Sequence, residues 1–135
     1  MAKTFKIPPG LIHAGAFSAD LMQDLMNIFA HSMDPDIFSA NGAIDPHLNS
    51  SVVITKTSAC ALTLAAPTAG DDDGHTIRIV STTAFAHTVV VTGFKMGVTG
   101  SNLKVTFAAF AGCSLYLYAY QGAWYLLSMN GGTCS

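Results

Sequence analysis

The feature that most constrains this chain is a series of short apolar segments in its second half. Seven segments rich in Val, Ile, Thr and aromatic residues are separated by Gly, Pro, Asp or Asn, which is the pattern of β-strands joined by turns. This succession predicts a mainly β fold, with a compact antiparallel β-sandwich or barrel-like domain over residues 51–135. The predicted strands cover residues 51–55, 60–65, 76–82, 88–92, 103–108, 114–120 and 124–129.

The first 50 residues follow a different pattern. Residues 1–17 are interrupted by Pro and Gly and predict an extended arm. Ser18 is a candidate N-cap, and apolar residues recur after it at helical spacing until Asp34-Pro35, so one short amphipathic helix completes a unit of residues 1–33. Residues 34–50 contain two prolines and no sustained period, which predicts a linker.

The chain is short of charge. Half of its residues are apolar and 10% are charged, whereas about a quarter of the residues of a soluble domain usually carry charge. All eight acids lie in the first 73 residues, and only Arg78, Lys95 and Lys104 are charged after them. A small domain of this composition is expected to cover part of its surface with another protein. Lys and Arg are not clustered and no run of about 18 apolar residues occurs, so neither nucleic acid nor a membrane is an expected partner.

The strand predicted over residues 114–120 is the main reason to expect an oligomer. Its alternation places two leucines and Ala119 on one side and three tyrosines on the other, so neither side is polar. Residues 124–127 have the same property, which is expected of a strand with the core on one side and a neighbouring subunit on the other. A very apolar monomer with a few exposed aromatic residues is the alternative. The predicted oligomer-interface residues are Val105, Phe107, Leu115, Tyr116, Leu117, Tyr118, Trp124 and Leu126.

Residues suited to catalysis or metal binding are few and scattered. The run Asp71-Asp72-Asp73 lies between two predicted strands and is interpreted as a solvated turn. A calcium site there is the alternative, but it would lack the alternating ligands and distal Glu of an EF-hand loop. The five histidines show no metal-binding spacing, although His75 and His87 each open a strand and could meet. We therefore expect no catalytic residue, no metal site and no cofactor.

The three cysteines also lack a metal or redox spacing. Their odd number and the absence of C-x-x-C are typical of reduced thiols in a protein made in a cytoplasm. Cys60 and Cys113 lie in apolar strand sequence and are predicted to be buried and inert. Cys134, next to a Gly pair near the end, is predicted to be exposed and able to cross-link on oxidation.

One stretch resembles a known group of proteins. Residues 61–89, ALTLAAPTAGDDDGHTIRIVSTTAFAHTV, contain an L-T-L-x-x-P strand, a D-D-G turn, an I-x-I-x-S strand and an A-H-T-V strand. This combination resembles virion structural proteins of tailed bacteriophages, and residues 123–128, AWYLLS, resemble the final strand of that group. The group includes head-decoration or cement proteins and head or tail fibres. The resemblance implies a non-enzymatic virion protein with a trimeric β domain.

An arm and a helix before one β domain favour a decoration protein over a tail fibre, which usually carries its tip on a long shaft. The expected function is then a homotrimer, made in the host cytoplasm, that binds the major capsid protein on the outer surface of the phage head. There it would strengthen the shell after expansion, as the resemblance implies. The predicted capsid-binding residues are Phe5, Ile7, Leu11, Phe17, Leu21, Leu25 and Phe29.

Two other classes of function remain open. A trimeric tail-fibre or receptor-binding tip would bind carbohydrate on exposed aromatic rings, with Tyr116, Tyr118, Tyr120 or Trp124 as platforms. A small lyase or hydrolase would need a carboxylate or histidine cluster shared between subunits, which the acid-free second half makes hard to build.

Overall fold

The computed structural model describes residues 21–26, 34–96 and 103–135, and the chain divides into two compact units, residues 1–34 and 35–135. In the first unit, residues 21–26 form a helix in which Met22 is buried while Leu21 and Leu25 are exposed. The predicted helix is present there. Its candidate N-cap and the predicted arm lie outside the described residues. No described helix has both the length and the apolar character needed to cross a membrane.

The second unit is mainly β, as predicted. All seven predicted strands are present, and four further strands of two or three residues are too short to produce a recognisable sequence period. The strands are β1 (Asp36–Phe38), β2 (Gly42–Ile44), β3 (Ser51–Ile54), β4 (Ala61–Leu64), β5 (Thr76–Ser81), β6 (Thr88–Val91), β7 (Phe94–Lys95), β8 (Lys104–Phe107), β9 (Ser114–Tyr120), β10 (Ala123–Asn130) and β11 (Gly132–Cys134).

The strands form two sheets of mixed direction. The six-stranded sheet has the order β1-β3-β5-β9-β10-β7, and the five-stranded sheet has the order β11-β8-β6-β4-β2. From β1 to β9 the chain changes sheet at every connection, and the first three strands of each sheet run in the same direction. The prediction of an antiparallel sandwich is therefore wrong in this respect: β1, β3 and β5 pair in parallel, as do β2, β4 and β6. Antiparallel pairing begins where β9 joins β5 and β8 joins β6.

The predicted linker over residues 34–50 belongs to the β domain. Its strand β1 pairs with β3, with Ile37 opposite Val53, and its strand β2 pairs with β4, with Ile44 opposite Leu64. The sequence pattern did not reveal these two strands because each has three residues, and so short a segment shows no recognisable alternation. The boundary between units therefore lies at Asp34-Pro35, not at residue 50.

One hydrophobic core combines the inward side chains of both sheets. Its largest fully buried residue is Trp124, whose indole N–H donates to the Ala65 carbonyl at 2.8 Å. Five residues predicted to form an oligomer interface lie in this core and are at most 1% exposed, so that assignment is wrong for them. When both sets of alternating residues in a strand are apolar, alternation does not tell which set faces the core. The five residues are Val105, Phe107, Leu115, Leu117 and Trp124.

Candidate functional site

The outer surface of the six-stranded sheet is rich in tyrosine. On β9 the buried residues alternate with Tyr116, Tyr118 and Tyr120, which point away from the core. Tyr118 lies opposite Tyr125 of β10, and Tyr125 lies opposite Lys95 of β7, so aromatic rings continue across the sheet. We call this surface the tyrosine face, and define it as Arg78, Val80, Tyr116, Tyr118, Tyr120, Tyr125 and Leu127.

A β-bulge enlarges the tyrosine face. The register between β9 and β10 shifts between Leu126 and Ser128, so Leu127 has no partner on β9 and is 53% exposed. The bulge also restores the alternation, because Met129 lies opposite Leu115 and packs against the core. Leu126, another predicted interface residue, is half-buried and packs against the core as well. Sequence alone did not reveal the bulge.

A shallow depression of about 450 Å³ lies on the tyrosine face. Arg78 is exposed at its centre and stands in register with Ser51 on one side and Tyr116 on the other. Within the described ranges, no carboxylate lies within ion-pair distance of Arg78. The depression therefore combines one unpaired guanidinium with hydroxyl groups and an aliphatic edge. Its outward-facing lining residues are Ser51, Arg78, Val80, Ser114, Tyr116 and Ser128.

An aliphatic row borders this depression. Ile37 of β1, Val53 of β3 and Val80 of β5 are in register on the outer side of the sheet. Ile37 is 66% exposed and Val80 is also exposed. The tyrosine face thus continues to the β1 edge as an apolar surface, which is the kind of patch that proteins usually cover by association.

The outer surface of the five-stranded sheet has a different composition. It carries threonines and small residues in two registered rows, and Lys104 is its one cation within the described strands. We call it the threonine face. Its residues are Ala43, Ala61, Thr63, Thr88, Val90, Lys104, Thr106 and Thr133.

The three consecutive aspartates form a structured loop over residues 68–74. Asp72 is buried, and its carboxylate accepts a hydrogen bond from the Thr68 N–H at 2.5 Å and contacts His47 Nδ1 at 2.8 Å. Asp73 accepts two hydrogen bonds of 2.7 Å from Gln121, one from its backbone N–H and one from its side-chain amide. The interpretation as a solvated turn is therefore wrong for Asp72 and Asp73. Only Asp71 is fully outward and, among the described residues, accepts no hydrogen bond.

Electrostatics strengthen this loop. The hydrogen bond with Asp72 raises the pKa of His47, and the Thr68 N–H lowers the pKa of Asp72. The Gln121 N–H lowers the pKa of Asp73. Each shift favours the charged form. The bonds to Gln121 also hold the two-residue β9–β10 turn, where Gln121 adopts a positive φ of 48°.

His87 is a second polar centre, and it is fully buried. The Cys60 N–H donates to its Nδ1 at 3.1 Å, so Nδ1 carries no proton. The Thr83 hydroxyl donates to the Lys56 carbonyl at 2.7 Å, so its oxygen accepts from His87 Nε2–H at 2.9 Å. Burial lowers the pKa of His87. The ring is thus held neutral as a structural link between three segments, whereas the ring of His75 donates to the Asn49 carbonyl.

The cysteines follow the prediction in part. Cys60 and Cys113 are buried and free, as predicted, and burial raises the pKa of Cys60. Cys134 is half-buried, not exposed, because β11 pairs with β8 and places its thiol 4.0 Å from the Met129 sulfur. Among the residues that the structure describes, no three His, Cys or Asp side chains are grouped as metal ligands.

The structure separates the predicted site residues. Tyr116 and Tyr118 lie on the tyrosine face, and Tyr120 is 52% exposed beside them. Five of the predicted capsid-binding residues, Phe5, Ile7, Leu11, Phe17 and Phe29, lie outside the described residues. The outward positions of Arg78 and Tyr125 were not predicted, although Arg78 stands between two isoleucines and its outward direction could have been read from that alternation.

Neither the search of protein-family models nor the search of curated proteins gives a match.

Proposed function

We propose that this protein is a decoration protein of a tailed bacteriophage, which binds the outer surface of the phage head as a homotrimer and stabilises the shell. The observation that carries the proposal is the exposed tyrosine face on an otherwise well-packed β domain. The resemblance of residues 61–89 and 123–128 to phage virion proteins supports the same conclusion.

The tyrosine face is the proposed contact between copies of the chain. Tyrosine and arginine are enriched at protein interfaces because they offer a large contact area together with a polar group. Tyr125 and Leu127 are 41% and 53% exposed in the single chain, so a neighbouring subunit would remove much apolar area from water. Assembly buries this surface, and the core residues below it support its shape.

The N-terminal unit is the proposed attachment to the major capsid protein. Leu21 and Leu25 are exposed on the described helix, as an apolar contact requires. Because such contacts are mainly hydrophobic, attachment survives high salt. The other proposed contacts belong to the arm and to Phe29.

The decisive experiment adds the purified protein to phage heads that lack decoration. The expected result is saturable binding of trimers to the outer surface, visible in a virion reconstruction, and heads that resist higher temperature. Location at the tail, or a chain that stays monomeric at micromolar concentration, would contradict the proposal.

A carbohydrate-binding tip protein is the second candidate, favoured by the hydroxyl-lined depression beside exposed tyrosine rings. Tyr116, Tyr118 and Tyr120 would stack on sugar rings, whereas Trp124 is buried and cannot take part. Binding on a glycan array that is lost on replacing Tyr118 with Ala would favour this candidate.

A further inference from the structure

We infer that Arg78 in the depression of the tyrosine face receives the carboxylate of Asp71 from the next copy of the chain. This inference rests on the proposed self-association and names the contact that sets its register. The occupant of the depression is thus a loop of a second copy, not a small ligand.

The surroundings of Arg78 make it a suitable binding site for a carboxylate. Its guanidinium is exposed inside a surface of tyrosine, serine and aliphatic side chains, and no acid of the described chain pairs with it. Covering this surface without a carboxylate would bury an unpaired charge, which is strongly unfavourable. A partner that covers the tyrosine face therefore binds at least cost when it brings an acid to Arg78.

Asp71 is the acid of the 68–74 loop that the fold leaves available. Its neighbours Asp72 and Asp73 are used internally, by Thr68 and His47 and by Gln121. These bonds, with Gly74 N–H donating to Ala119 at 2.8 Å, hold the loop rigid, so Asp71 is presented outward at little cost in entropy.

The symmetry of a ring allows Arg78 of one copy to meet Asp71 of the next. A closed ring of three copies joins two different surfaces of each subunit, because only twofold contacts pair a surface with itself. The tyrosine face of one copy therefore meets another part of its neighbour. All eight aspartates lie in the first 73 residues, and the 68–74 loop contributes Asp71, which is exposed.

The test is a charge exchange in the full chain, followed by the association constant from sedimentation equilibrium at several concentrations. R78E and D71R alone should each weaken association at least about tenfold, and the R78E/D71R double variant should return to within about threefold of the original. K104E makes the same charge change on the threonine face and should leave association unchanged. Circular dichroism should show all four variants folded.

A second measurement covers the case in which a charge reversal prevents folding. The conservative R78K variant should form an amide between position 78 and Asp71 when treated with a zero-length carbodiimide, and the product should migrate as a covalent multimer in a denaturing gel. Peptide mass spectrometry identifies the linked residues. A cross-link confined within one chain, or to another acid, would overturn the inference.

The outcomes also separate this contact from the proposed function. A trimer that persists unchanged in R78E overturns the contact alone, while a monomeric parent chain overturns self-association as well. Loss of glycan binding in R78E without loss of assembly would assign the depression to carbohydrate and likewise overturn the contact.

Discussion

The two outer faces of this domain differ although the sheets beneath them are built alike. Both sheets alternate buried and outward residues, and both contribute to one core. Outward positions on one sheet hold tyrosine, leucine and arginine, while those on the other hold mostly threonine and alanine, together with Val90 and Lys104. Inward positions are mainly apolar on both sheets because they form the core, so the outward positions are the ones free to differ.

Side-chain size explains why the faces should behave differently. A buried tyrosine removes about 150–250 Å² from water and still offers a hydroxyl, so a few of them can hold subunits together. Threonine and alanine offer little area, and the threonine hydroxyl is well hydrated. We therefore expect association through the tyrosine face and none through the threonine face.

The largest effect should separate the two sides of β9. Leu117→Asp should unfold the domain, because an unpaired charge at a fully buried position costs several kcal/mol, against a total stability of about 5–15 kcal/mol. Tyr118→Asp, one residue further, should leave the chain folded but monomeric. Thermal unfolding and light scattering distinguish these results, and a folded L117D trimer would invalidate the assignment of the core.

Deleting residues 1–33 should abolish binding to phage heads while leaving a folded trimer. The β domain contains its own core and both faces, and the deletion ends at the boundary between units. Cosedimentation with heads measures the loss, with the full chain as control. Undiminished decoration by the truncated protein would instead place the attachment surface in the β domain.

Replacing Tyr116, Tyr118 and Tyr125 together with Ser should weaken assembly by at least about a hundredfold, since each large interface side chain commonly contributes about 1–2 kcal/mol. The matched change of Thr63, Thr88 and Thr106 to Ala should have no such effect. Sedimentation at several concentrations compares the two variants. Equal weakening in both would show that the faces do not differ in function.

Acid should destabilise the domain through His87 on the inner side of the five-stranded sheet. Its pKa is lowered in the folded chain, so the unfolded chain binds the proton first and stability falls as pH drops below about 6.5. His47 acts in the opposite direction: its raised pKa stabilises the fold below 6.5, and this contribution is lost as pH rises through the folded pKa. The check is the melting temperature measured as a function of pH. H87Q should reduce the loss of Tm in acid, and H47Q should reduce the change in Tm near neutral pH. Unchanged profiles would contradict both assignments.

The smallest effect should appear in the aspartate loop. Asp72→Asn should lower Tm more than Asp71→Asn, because only Asp72 accepts the Thr68 N–H and pairs with His47. The lowered pKa of Asp72 means that its contribution is present above about 3.8 and is lost as pH falls through the folded pKa. Chelators should not change Tm. A calcium-dependent rise in Tm that is lost in D72N would instead indicate a bound ion.

Several features of this protein could be predicted because they depend on neighbouring residues. The content of Val, Ile, Thr and aromatic residues, together with the turn residues between them, located all seven longer strands, and the apolar context of Cys60 and Cys113 correctly predicted their burial. Alternation also placed Tyr116 and Tyr118 together on one side of β9. What alternation lacks is a sign: it separated the leucines of β9 from its tyrosines without telling which set faced the core.

The sequence by itself determined that this chain is a β domain with tyrosines on one side of β9, since a strand repeats every two residues whatever surrounds it. Only the tertiary structure decided the parallel pairing of β1, β3 and β5, because that pairing depends on the chain crossing between sheets at each turn. It also decided that Asp72 is buried while Asp71 stays outward, since packing brings His47, 25 residues away in the chain, to the carboxylate of Asp72. Arg78 belongs to the same group: the alternation points it outward, but only the assembled sheet places it among serines and a tyrosine from three other strands.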